Sequence, residues 1–145
     1  MSQSIALAVD VQPDAGHVFE ILSTTTGQRA FWTDDCDVEA DKARFGFAAA
    51  PVDLLTSVTT EPGRLVRMTV TSGFPFWEGS TWEWELAEAA RAETGTSVLF
   101  RHYGFADGYA EIDLAHTAQT WALILQRLAG YIASSRPQPF FPAAG

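Results

Sequence analysis

Few side chains in this sequence carry chemistry, and histidine is the first to weigh. In TSVLFRHY (96–103), strand alternation puts Thr96, Val98, Phe100 and His102 on one face and Ser97, Leu99, Arg101 and Tyr103 on the other. An imidazole on an apolar face could orient a polar ligand group or act as a general base near neutral pH. The plainer alternative is a buried histidine bonded to backbone or to a carboxylate. His17 and His116 fall on helical stretches, at exposed or boundary positions. Asp34, Asp35 and Asp37 cluster after Trp32 and could hold a hard cation, but the ligand order of a calcium loop is missing, and solvated turn carboxylates account for them better. Cys36 has no activating cation beside it in sequence and reads as structural. No nucleophile elbow, phosphate loop or metal-ligand pair occurs, and GFADG (104–108) is a turn between strand and helix. The expectation is no cofactor and no metal.

Aromatic side chains are the larger signal. GFPFWEGSTWEWEL (73–86) brings Phe74, Phe76, Trp77, Trp82 and Trp84 within fourteen residues. Each ring buries a large area, so the run either fills a core or lines a space for something apolar. Alternation places Trp82, Trp84 and Leu86 together, facing inward, with Thr81, Glu83 and Glu85 opposite; the two glutamates read as a solubilising stripe, or as protection of an edge strand. In LVRMTV (65–70), Val66, Met68 and Val70 would face inward and Arg67 outward, and Phe45 and Phe47 share a face in RFGF.

These residues need elements to position them. SIALAVDVQ (4–12) has the period of a half-buried strand. Pro13 suits a first helical turn, after which Ala15, Val18, Phe19 and Leu22 recur at helical spacing. TTTGQRAFW (24–32) predicts a second short helix capped by Thr24 or Thr25. From Asp37 to about Tyr103, runs of strand character alternate with turn signals: DVEA, KARFGFAA, VDLLTSVTTE, LVRMTVTS, STWEWELAEA and TSVLFRHYG, with Pro62–Gly63 as one turn and ARAETG (90–95) as the last polar connection. Leu114, Ala118, Trp121, Leu125, Leu128 and Ile132 then mark a helix to Ser134, long enough to cross a sheet. The prolines of RPQPFFPAAG stop it. The layout is α+β: one strand, two short helices, six meandering antiparallel strands and a long apolar-faced helix gripped by a curved sheet.

Size and charge bound the rest. A chain of 145 residues predicts a single domain over 1–136 with a Pro-rich tail over 137–145. One cysteine excludes an internal disulfide and fits a reduced, cytoplasmic setting, and neither a secretory leader nor a membrane-spanning run is visible. Net charge is −9, with Lys42 and eight scattered arginines, so nucleic acid and anionic membrane are poor partners.

The order VFEILSTTTGQRAFWTDD, RFGF, EPGRLVRMTV, FWEGSTWEWEL, GTSVLFRHYGF, TWALILQRLAGYI and QPFF resembles the START-like (SRPBCC) superfamily. It is most similar to bacterial proteins akin to the activator of the heat-shock-protein-90 ATPase; polyketide cyclases are relatives. The resemblance covers Val9 to Phe141 and implies a helix-grip, Bet v-like fold: a seven-stranded curved sheet around the C-terminal helix, often enclosing a cavity. It also implies that His102 ends the last strand facing inward. On that basis the candidate pocket is Trp32, Phe45, Phe47, Met68, Phe76, Trp77, Trp82, Trp84, Phe100, His102, Trp121 and Leu125, with loops 34–42 and 72–79 controlling access. The expected function is binding of an apolar or aromatic small molecule, anchored by His102 or Asp53. Alternatives are a cyclase- or aromatase-like enzyme using an inward acid or base, and a co-chaperone-like interaction domain; whether the chain is an enzyme stays open, and a homodimer is a candidate assembly. A core fully filled by aromatics is the competing structural reading.

Overall fold

The structure, a computed structural model, describes residues 3–12, 14–48, 50, 52–88 and 95–142. Pro13 and residues 90–94 of the expected last connection lie outside the described residues. The elements follow in the expected order: β1 (Ser4–Val11), α1 (Ala15–Ser23), α2 (Thr25–Phe31), β2 (Cys36–Val38), β3 (Lys42–Phe45), β4 (Leu54–Glu61), β5 (Leu65–Ser72), β6 (Thr81–Glu88), β7 (Thr96–Tyr103) and α3 (Glu111–Ser134).

Local chemistry sets the helix ends. Asp14 Oδ1 accepts the His17 amide at 3.0 Å to start α1, and Thr24 Oγ1 accepts the Gly27 amide at 3.1 Å to start α2. The two helices meet at Gly27, where a Cβ would sit 1.8 Å from the Ile21 carbonyl oxygen, so only glycine lets α2 fold back this tightly. α3 has no side-chain cap, but Glu111 and Asp113 in its first turn complement the helix dipole.

The strands form one antiparallel sheet in the order β1-β7-β6-β5-β4-β3-β2, a meander closed by β1 returning beside β7. Its register pairs Trp82 with both Met68 and His102, and Trp84 with both Val66 and Phe100, so the inward rows read from the sequence lie side by side. α3 covers this face with Trp121, Ile124, Leu125 and Leu128. No described helix is long and apolar enough to cross a membrane.

Two local expectations change. β3 stops at Phe45, although the Gly46 amide still donates to the Asp35 carbonyl at 2.7 Å in the β2–β3 register, and Phe47 lies beyond the strand. β6 is no edge strand, lying between β5 and β7. Glu83 is only 6% exposed and pairs with Arg67 at 3.1 Å, while Glu85 reaches Arg64 at 3.5 Å and Arg101 at 3.4 Å, so the acidic stripe belongs to a cross-strand ladder of ion pairs on the convex face. The tail after α3 folds back along the end of α2. Its amides at Gln138, Phe140 and Phe141 donate to the carbonyls of Ala30, Phe31 and Trp32 at 2.8, 3.2 and 2.7 Å, and Phe141 bridges Thr33 in parallel.

Candidate functional site

The candidate residues divide into a packed wall and an open cleft. Phe45, Met68, Trp82, Trp84, Phe100, His102 and Leu125 are buried in the core. Their rings interlock: Trp84 meets Phe100 at 4.7 Å, Phe100 meets Trp121 at 4.5 Å, and Trp32 meets Phe45 at 4.4 Å between centroids. None of these seven lines the apolar cleft beside them. Much of the aromatic run is thus core, in the spacing that aromatic pairs prefer.

The cleft lies at the end of this wall and has a volume of about 330 Å³. Of the candidate residues, Trp32, Phe47, Trp77 and Trp121 line it. Ala50, Phe74, Ile124 and Phe141 complete its apolar surface, and His116, Thr117 and Thr120 supply its polar side. A signal for the helical members existed: positions 116, 117, 120, 121 and 124 form one stripe of α3 around Trp121. Phe141 had none, since it depends on the tail folding back. Phe76 points elsewhere. Its backbone takes φ +69, its ring stacks on Tyr109 at 5.4 Å, and it stays 41% exposed.

His102 sits behind the cleft with both ring nitrogens occupied. Trp121 Nε1–H donates to Nδ1 at 3.2 Å, which makes Nδ1 an acceptor, and the proton on Nε2 then points to Ser80 Oγ at 2.9 Å. Burial pushes its pKa down to about 3, because no carboxylate is there to stabilise the imidazolium. His102 is therefore a neutral positioning residue that orients Trp121. Asp53, the other suggested anchor, stands 3.6 Å from Arg44 on the surface and is not part of the cleft.

The acidic cluster holds an arginine. Arg44 pairs with Asp35 at 2.8 Å and Asp37 at 2.9 Å; these hydrogen bonds raise the guanidinium pKa further. Among the described residues no group of His, Cys, Asp and Glu is placed to hold a metal ion. Cys36 is buried, and that burial raises its thiol pKa to about 11, leaving it unreactive at neutral pH.

At the cleft itself a chain of hydrogen bonds ties loop to helix. Trp77 Nε1–H donates to Tyr109 Oη at 3.3 Å, and Tyr109 Oη lies 2.8 Å from Thr117 Oγ1. Thr117 Oγ1 donates to the Asp113 carbonyl at 2.9 Å, so the tyrosine must be the donor to it. Trp77 is in this way fixed over the cleft, its ring nearly parallel to that of Trp121 at 6.4 Å.

No family model matches the chain, and no curated protein matches it. Solved structures do. The Aha1 dimer from Colwellia psychrerythraea is 21% identical with a TM-score of 0.76, over 90% of this chain and 96% of that one. A protein from the dynemicin biosynthetic locus is 18% identical with a TM-score of 0.73, over 96% of this chain but 50% of the other. A START superfamily protein from Mycobacterium smegmatis is 11% identical with a TM-score of 0.74, over 91% and 98% of the two chains. Likeness at these identities establishes the fold alone, and the expected helix-grip fold holds.

Proposed function

We propose that this protein binds a small apolar or aromatic molecule in the cleft between α3, the β5–β6 loop and the returning tail. The observation that carries this reading is the cleft itself: about 330 Å³, walled by the six rings of Trp32, Phe47, Phe74, Trp77, Trp121 and Phe141. Its volume falls at the lower end of the ~300–1,000 Å³ typical of small-molecule sites, and its mostly apolar lining with a few convergent polar groups is their usual composition. A flat fused-ring skeleton fits that description. The wall of buried rings behind it keeps the cleft preformed, which lowers the ordering cost of binding.

Binding is favoured over catalysis because the buried imidazole has its lone pair engaged and its charged form disfavoured. The test is a fluorescence titration with neutral fused-ring aromatics, read from the three tryptophans in the cleft. Saturable quenching is expected, and Thr120→Phe, which places a ring into the space, should weaken it by roughly tenfold or more, equivalent to about 1.4 kcal/mol. Unsaturable quenching, or equal affinity in that variant while it stays folded, would sink the reading. A homodimer remains part of the proposal, prompted by the dimeric state named for the similar Aha1 structure. Sedimentation velocity should show a species of twice the monomer mass; monomer alone at high concentration would remove it.

A further inference from the structure

We propose that the cleft selects neutral aromatic molecules bearing a hydroxyl group over the corresponding carboxylates and bare hydrocarbons, an inference that rests on the binding reading above. The polar side of the cleft is made by His116, Thr117 and Thr120 of α3, and its hydroxyl groups are those of the two threonines. Each has committed its only hydrogen to its own helix: Thr117 Oγ1 donates to the Asp113 carbonyl and Thr120 Oγ1 to the His116 carbonyl, both at 2.9 Å. A hydroxyl has one hydrogen and two lone pairs, so what remains on both oxygens is acceptor capacity. Thr117 also accepts from Tyr109, whose own oxygen accepts from Trp77, so the relay runs one way and returns no donor to the cleft.

Trp32 also lines the cleft, but its Nε1–H is itself buried and has no acceptor among the described residues. The lining thus offers oxygen lone pairs from the helix, to which a ligand hydroxyl can donate. A carboxylate can only accept, and it would meet the threonine oxygens with His116 beside them and no lysine or arginine among the described lining residues. A chain of net charge −9 adds to that penalty. A bare hydrocarbon leaves the remaining lone pairs of the threonine oxygens without a donor on binding.

Naphthalene, naphthol and naphthoate share one ring system and separate these cases. Their affinities should be measured by tryptophan quenching and calorimetry for the natural sequence and for Thr117→Val, Thr120→Val and His116→Gln. Naphthol is expected to bind about fivefold or more tightly than naphthalene, the usual weight of one neutral hydrogen bond, and more tightly than naphthoate. That advantage over naphthalene should shrink in at least one threonine variant while naphthalene affinity holds, and it should survive His116→Gln. Naphthoate binding as tightly as naphthol, equal naphthol and naphthalene affinities, or an advantage untouched by both threonine variants overturns this inference alone. If none of the three binds, the cleft reading fails and takes this one with it.

Discussion

His102 stays neutral because it is buried and because both of its nitrogens are already engaged. Its folded pKa of about 3 lies below the ordinary value of 6.5, so in acid the unfolded chain takes up a proton that the folded chain refuses. Stability therefore rises with pH across this window: it is unaffected by His102 above about pH 6.5 and falls below it by about 1.4 kcal/mol per pH unit toward the folded pKa. Urea denaturation of the natural sequence and of His102→Gln at about pH 7.5, 6 and 5 checks this. The natural protein should lose more stability over that range, and parallel curves for the two would refute the assignment. Sequence alternation put His102 on one face with Val98 and Phe100, and the family resemblance chose that face as the inward one. What it could not give was the occupancy of the ring, since Ser80 and Trp121 come from other parts of the chain and their distances are tertiary facts. Glu83 shows the same limit: parity placed it outward, but only the sheet order shows that its strand is interior and that Arg67 lies across from it.

At the level of elements, strands and helices were readable because each carries its own period, and an end that moved is that of β3, which stops at Phe45. The connections were less readable. The β5–β6 loop reverses through three left-handed positions, Gly73 at φ +147, Phe76 at +69 and Gly79 at +84, and its non-glycine member explains why Phe76 faces Tyr109 instead of the cleft. The tail was the least legible, because prolines announce only that a helix has ended. Once the tail is docked, Phe141 packs edge-on to Phe47 at 5.2 Å between centroids and becomes one wall of the cleft. Phe141→Ala should cost about 1–2 kcal/mol of stability through lost apolar burial, and it should weaken binding of a fused-ring aromatic. A urea melt and the same titration measure both; unchanged affinity would mean that the tail is a brace and no part of the site.

For the whole molecule, the fold was legible because the order of periods admits one economical arrangement, a meander with its first strand returned beside its last and a helix laid across the concave face. The cleft was legible only in part, because whether a cluster of rings leaves space between them depends on packing, which no pattern of residue types encodes. The closing of β1 onto β7, with Ser4 opposite Tyr103 and Val11 opposite Thr96, has a consequence for synthesis on the ribosome. The strand made first must wait for the strand made seventh, and α3, which roofs the apolar face, is made later still. While translation proceeds, Trp82, Trp84 and Phe100 are therefore on an uncovered surface, and this chain passes through an interval when it needs protection from its neighbours that the finished fold provides for itself.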